Sequence, residues 1–279
     1  MPSREKVTAT EHKRMLSPSQ MNAFLNCRRS WYYQYVLKIE VPENFAQVRG
    51  NVVHDVVEEI FKWRPAPANT FQGLVSEMQD RCLELFDRFW KEKQVTERFG
   101  ADKLEETREM VRRFVKLHEW KMTPIMDRYG DTSKAWNFTK PKATEMHIVD
   151  QGLGIQGYID AIIDLGEEGI VLLDYKTSKF FKHNVSEEYQ RQMYVYALMY
   201  ERKTGEIPAY VALEYLLYGQ VVNYPIRRQF LEEAGDLIKF VHVNTESDDI
   251  KDYPCSKGYR FCDWCDFKVK CNGDGAGGE

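Results

Sequence analysis

The segment GIVLLDYKTSKFFK, beginning at Gly169, ends an apolar run by setting Asp174 and Lys176 two residues apart. Ile170 to Leu173 read as a strand entering a buried sheet. Side chains alternate along a strand, so Asp174 and Lys176 emerge on one face and Tyr175 on the other. A carboxylate beside an ammonium at a strand end is either an ion pair, worth roughly 0 to 1 kcal/mol when exposed, or the start of a site. The preceding run, GIQGYIDAII, adds a second carboxylate, Asp160, three residues after Gly157. Two adjacent strands carrying aspartates near a lysine can hold a divalent cation through hard oxygen ligands and leave positions for water and phosphate. Taken alone, Asp160 is better explained as a solvated polar end, because acidic residues are abundant on surfaces.

Three further features bear on chemistry. Gln192 and Tyr196 stand i, i+4 in EEYQRQMYVYALMYE and so share one helix face; alone, they are a polar edge and a core aromatic. His54 follows Gly50 by four residues and lies close to the stripe of Val53, Val57, Ile60 and Phe61, where a lone histidine is more often structural than a ligand. Of six cysteines, Cys27 and Cys82 stand alone while Cys255, Cys262, Cys265 and Cys271 crowd the C-terminal end. Clustered cysteines in a cytosolic chain indicate metal before disulfides, and the four C-terminal thiols by themselves suit a small zinc site. Cys82 reads as a buried apolar residue.

The elements that must position these residues follow from pattern. Residues 1–16 read as a flexible arm, and residues 17–142 as a helical subdomain carrying Cys27 and His54. Within it, SPSQ opens a helix running to about Val36, VRGNVVHDVVEEIFKW shows one broad apolar face, and long helices fit 71–95 and 102–128. The pattern changes near Ala143 to strand-like runs separated by glycine turns. A helix at 186–203, strands at 209–218 and 221–226, and a helix at 229–242 complete an α/β core over 143–245. A cysteine-rich tail covers 246–272, and 273–279 reads as a disordered end.

With 279 residues, 43% of them hydrophobic, the chain buries a sizeable core. No apolar run approaches the roughly 20 residues that span a bilayer, and the polar start MPSREKVTATEHKRM has no signal segment, so the expected compartment is cytoplasmic and no membrane partner is expected. A net charge of −4 argues against a blanket nucleic-acid binder but leaves room for local basic patches such as Arg28 with Arg29, Arg112 with Arg113, Lys179 with Lys182 and Arg227 with Arg228. Basic and aromatic residues interleave in CRRSWYYQYVLK and KTSKFFKH, as in a groove that tracks a nucleic-acid strand, although most such aromatics are expected to fill the core.

In chain order these pieces are G-x-x-x-H (Gly50 to His54), G-x-x-D (Gly157 to Asp160), D-x-K (Asp174 to Lys176) and Q-x-x-x-Y (Gln192 to Tyr196). Their conjunction resembles the RecB-like branch of the PD-(D/E)xK nuclease superfamily. Cys27 followed by the C-x2-C-x5-C of Cys262, Cys265 and Cys271 resembles its 4Fe-4S version, which includes CRISPR-associated spacer-acquisition nucleases, AddB-type nuclease domains and phage relatives. The resemblance spans residues 17–271 and implies a restriction-endonuclease-like mixed sheet core with an N-terminal helical subdomain and an iron-sulfur tail. It implies that His54, Asp160, Asp174 and the Tyr175 carbonyl hold Mg2+ or Mn2+, with Glu145 as an accessory residue. Lys176 would serve the attacking water or the phosphate, and Gln192 and Tyr196 would position DNA or water. Cys27, Cys262, Cys265 and Cys271 would ligate the cluster, leaving Cys255 spare. The function implied is a metal-dependent exonuclease acting on single-stranded DNA ends in recombination, repair or CRISPR and phage DNA processing, with a helicase or integration complex as a further partner. Two rivals stay open: a non-catalytic or endonucleolytic DNA-end-binding subunit of the same fold, and a zinc-stabilised interaction protein.

Overall fold

The structure is a computed structural model that describes residues 14–66, 68, 70–178, 187–256 and 262–274. The expectations for most of the N-terminal arm, for Lys179 and Lys182, and for the last five residues lie outside the described residues. Arg14 and Leu16, at the end of the expected arm, are part of the fold. Arg14 pairs with Asp248, and Leu16 is fully buried and bridges Ile155.

Helix α1 (Pro18–Asn26) starts where the Ser17 hydroxyl accepts the Gln20 N–H at 3.2 Å, with Pro18 preset for the first turn. It stops at Cys27, whose backbone is extended, and α2 (Arg28–Trp31) runs on into a π-helical turn at Tyr32–Val36. The single helix expected to Val36 is thus broken, with Cys27 at the break. Helices α3 (Phe45–Ile60), α4 (Phe71–Glu92), α5 (Val95–Phe99), α6 (Leu104–Tyr129) and α7 (Thr132–Thr139) follow. A reciprocal Asn44–Gln47 capping box opens α3. Its stripe of Val48, Val52, Val53, Val56, Val57 and Ile60 is buried, each residue contributing roughly 1.5–3 kcal/mol.

Strands β1 (Ala143–Asp150), β2 (Ile155–Asp164), β3 (Ile170–Lys176), β4 (Tyr210–Tyr215) and β5 (Gln220–Pro225) form one sheet in that order. All pairings are antiparallel except β3 with β4, which are joined by a crossover containing α8 (Glu187–Thr204). Helices α9 (Arg228–Val243) and α10 (Lys268–Gly273) complete the order.

Each face of the sheet has its own core. On one face α1, α2, α8, α9 and the C-terminal tail pack on Ile170, Leu172, Val211 and Leu213. On the other, α3 to α7 pack on Ala161, Leu173, Tyr175 and Ala212. The segment 17–142 is therefore not one helical body: its first two helices cover the opposite face from the rest, because a strand such as β3, apolar on both sides, needs both faces covered. The aromatics of CRRSWYYQY are mainly core. Trp31 stacks on Tyr253 at 5.7 Å, Tyr33 packs on Phe267, and Arg29 donates to the Tyr253 carbonyl, which docks the tail on the N-terminal helices. Among the described residues, no helix is long and apolar enough to cross a membrane.

Two irregularities shape the sheet near Asp160. In β2, Ile155 and Ile159 face the α8 side, but so does Ile162, while Ala161 faces α3 to α7; in β1, Met146 and Ile148 share the α8 side with Ala143. The alternation reverses at one level, between the register pairs Thr144↔Ala161 and Met146↔Ile159. There Glu145 adopts the left-handed conformation, φ +48°, uncommon for a residue with a side chain. The β2–β3 ladder also ends at Ala161↔Leu173, one step before Asp160 would meet Asp174. The sheet forks at this point.

Candidate active site

At the fork the next ladder donor, Tyr175 N–H, is taken by the Asp160 carboxylate at 2.9 Å instead of by the β2 backbone. From the α3 side His54 reaches in, with Nδ1 3.4 Å from Asp160 Oδ2 and Nε2 2.8 Å from the Tyr175 carbonyl oxygen. A carbonyl only accepts, so without a cation Nε2 carries the hydrogen and Nδ1 faces the carboxylate. Ligand atoms of His54, Glu145 and Asp160 all lie within 4.8 Å of one another.

The electrostatics of this group call for positive charge. Burial, and then the negative charge of Asp174, push the Asp160 carboxyl up to about 7, against the pull of His54, the Tyr175 N–H and Lys176. Burial likewise raises the Glu145 carboxyl, with Glu58, Asp55 and Asp174 adding to it and His54 opposing. Carboxylates that repel each other in a half-enclosed site, beside an imidazole, are a hard donor set suited to Mg2+ or Mn2+. The residues present fit such an ion.

As alternation requires, Asp174 and Lys176 point to the α8 face and Tyr175 into the α3 to α7 core. Lys176 Nζ lies 2.7 and 2.9 Å from the two Asp174 oxygens, 3.4 Å from Gln192 Oε1 and 4.4 Å from the centre of the Tyr189 ring. Burial alone would lower the lysine; Asp174 and Asp160 outweigh it and hold the ammonium above its usual range. Asp174 Oδ2, although 2.7 Å from Nζ, has no donor well aligned on it. Gln192 Nε2 in turn donates to Tyr196 OH at 3.4 Å.

Gly157 has a steric reason. A Cβ there would stand 2.9 Å from Tyr196 Cε1 and 3.3 Å from Pro18 Cδ, so the bare backbone of β2 is what lets the Tyr196 ring seat beneath the fork. Gly50 has no such constraint, since a Cβ would meet Thr177 Oγ1 at 3.6 Å; nothing in the structure explains it.

All the candidate residues are thereby gathered at one place: His54, Asp160 and Glu145 on one side of the fork, Asp174, Lys176, Gln192 and Tyr196 on the other. Glu145, expected as an accessory residue, stands in the compact trio itself, whereas Asp174 is engaged by Lys176. One feature was missed from sequence. Arg49, five residues before His54, donates to the Thr177 carbonyl at 2.9 Å and pairs with Glu106, fixing the turn that follows Lys176; its place just before Gly50 was the available signal.

A second cysteine-lined centre lies at the junction of the chain's two ends. Cys27, Cys255, Cys262, Cys265 and Cys271 line one cavity of about 90 Å³ with Arg29, Tyr33 and Lys268. Cys255, expected to be spare, is among them: burial, and then Cys271 and Cys27, push its thiol up to about 12. Cys82 lies elsewhere, buried in α4.

The chain matches the family described as "PD-(D/E)XK nuclease superfamily" over residues 15–272. No curated protein matches it. Among solved structures, one from Eubacterium rectale named a "putative exonuclease" aligns over 97% of this chain and 93% of its own, with 15% identity and a TM-score of 0.52, a likeness of fold. Another, named SSO0001, aligns over 81% of this chain and 97% of its own at 15% identity, with a TM-score of 0.30.

Proposed function

Because the chain belongs to the PD-(D/E)XK nuclease superfamily, we propose that it is a Mg2+- or Mn2+-dependent deoxyribonuclease that degrades DNA from single-stranded ends and carries a 4Fe-4S cluster. The observation that carries the hydrolytic reading is the fork, where the trio His54, Glu145 and Asp160 stands beside the Asp174–Lys176 pair. His54, Glu145, Asp160 and Asp174 would hold the cation, with the Tyr175 carbonyl as a further oxygen. When bound, such an ion polarises a phosphoryl oxygen and lowers the pKa of a water.

The chain's own groups supply the rest. Lys176, kept protonated by Asp174, presents positive charge where the phosphate gains negative charge in the transition state. Gln192, tied to Tyr196, holds the lysine from the far side. Asp160 must give up its proton before it can serve as a ligand, which ties cation binding to pH.

The cluster reading assigns Cys27, Cys262, Cys265 and Cys271 as ligands. What supports this reading over a zinc site built from the tail alone is that Cys27, far away in sequence, lines the same cavity as the tail thiols. Hydrolysis transfers no electrons, so the cluster's role is to join residue 27 to the tail.

The test is degradation of end-labelled linear single strands and of closed circles in Mn2+. Linear strands should be degraded and circles spared, and Lys176→Ala should abolish turnover while the variant still binds DNA. Wild-type turnover in Lys176→Ala overturns the assignment of the site, and equal rates on circles overturn the need for an end.

A further inference from the structure

Beyond the point where its alternation reverses, the β1–β2 ribbon turns His147 and Tyr158 outward while Met146, Ile148 and Ile159 face the α8 core. The two are register partners, and their rings stack at 4.4 Å with planes 14° apart. Both are exposed, Tyr158 at 53%. A cross-strand aromatic pair steadies any ribbon, yet this one has a particular address. His147 lies two residues from Glu145 and Tyr158 two residues from Asp160, on the same strands, about 7 Å at the rise of a strand. Neither ring stacks on another aromatic among the described residues, so the outer surface of the pair stays open. Lys203, an exposed residue at the end of α8, donates to the backbone carbonyl of His147 at 3.1 Å and so places an ammonium at the edge of the same strand.

We propose that the stacked His147–Tyr158 pair is a platform for a base of the substrate strand, one or two nucleotides from the bond that is cut. The proposal rests on the nuclease reading and deepens it. An unpaired base offers a flat face of the same kind whatever its identity, so a platform of this kind holds a strand without reading its sequence. A distance of about 7 Å covers one to two nucleotides at about 3.4 Å per stacked nucleotide. A base held in a duplex is already stacked on both sides, so the platform favours unpaired ends over paired ones. The Lys203 ammonium suits the phosphate that accompanies the stacked base.

The probe is a fluorescent dT20 oligonucleotide, its binding followed by anisotropy in Ca2+. Tyr158→Ala and Tyr158→Leu should both weaken binding about 5- to 160-fold, the range for loss of one stacked base, and Tyr158→Trp should restore it. Leucine keeps the apolar bulk, so loss in that variant reports the flat ring rather than folding, which far-ultraviolet circular dichroism checks. In Mn2+, wild type should pause on strands with a single abasic position one or two nucleotides from the cut, and Tyr158→Ala should be indifferent to the lesion. If Tyr158→Ala binds dT20 like wild type while wild type degrades DNA, the platform is overturned and the nuclease stands. If wild type neither binds nor degrades any strand, both fall.

Discussion

Replacing Asp160 by asparagine should stabilise the metal-free protein above neutral pH and cripple it as a metal binder. Burial and Asp174 move this carboxyl from 3.8 to about 7 in the fold. At pH 8 the folded chain must carry an ionised Asp160 that its surroundings disfavour, while the unfolded chain ionises it freely. A raised carboxyl contributes stability fully present below pH 4, which is lost as pH rises toward 7. Three pH units at 1.36 kcal/mol each set a ceiling of about 4 kcal/mol. Asparagine keeps the oxygen that accepts the Tyr175 N–H and removes the charge, so the gain should lie at roughly 1–4 kcal/mol. For a chain of this length that is about 2 to 7 °C in the melting midpoint.

The assay is thermal unfolding of wild type and Asp160→Asn in EDTA from pH 4 to pH 8.5. The two curves should meet near pH 4 and separate as pH rises, with the variant higher. In Mn2+ at about 100 times its dissociation constant the wild type should gain about 2.7 kcal/mol and the variant far less, so the difference shrinks or reverses. Equal midpoints at pH 8 in EDTA, or a variant less stable there than wild type, would refute the claim that the site stores uncompensated negative charge.

Other perturbations probe the supports of the site. Gly157→Ala drives a Cβ to 2.9 Å from the Tyr196 ring, and should cost about 1–3 kcal/mol in urea unfolding and lower turnover by disturbing Gln192 and Lys176. Lys121→Met leaves the Glu214 carboxylate, 1% exposed, without its partner, and should cost about 3–5 kcal/mol, most of it restored by the second change Glu214→Gln; a single-variant loss below 1 kcal/mol would show that Glu214 finds another partner. Cys27→Ala should remove visible absorbance near 400 nm and iron, and lower the melting midpoint, whereas Cys255→Ala should retain both colour and iron. The opposite pattern would give the centre to the four C-terminal cysteines.

Much of this was legible because it depends on short-range periodicity. The side of β3 on which Asp174 and Lys176 emerge follows from strand alternation alone, and Gln192 and Tyr196 meet because a helix turns in 3.6 residues. What could not be read depends on where regular geometry fails. Uniform alternation along β1 and β2 would give neither the reversal at Glu145 and Asp160 nor a glutamate in a left-handed conformation that L-residues avoid. Cys27 was placed in a helix because nothing after Pro18 in SPSQMNAFLNCRRSW, neither glycine nor a second proline, marks a break; the structure turns the backbone extended at Cys27 all the same. That Cys255 shares a cavity with Cys27 could not be read either, because spacing says nothing of which thiols meet in space.

The reversal and the fork have one physical consequence. A regular antiparallel ribbon would send neighbouring side chains of β2 to opposite faces, each covered by its own core, and a polar group there would be buried without water or partner. By reversing its alternation at Glu145, the sheet opens a seam between its two cores into which α3 lowers His54 and β3 delivers Asp174 and Lys176. A non-glycine residue in a sparsely populated conformation costs of the order of 1 to 3 kcal/mol, and the raised Asp160 carboxyl adds to that. Strain and the cost of a buried carboxylate thus meet at the same register pair. The second, unlike the first, would be relieved by a bound cation, so free energy withheld from folding would reappear as affinity for the ion.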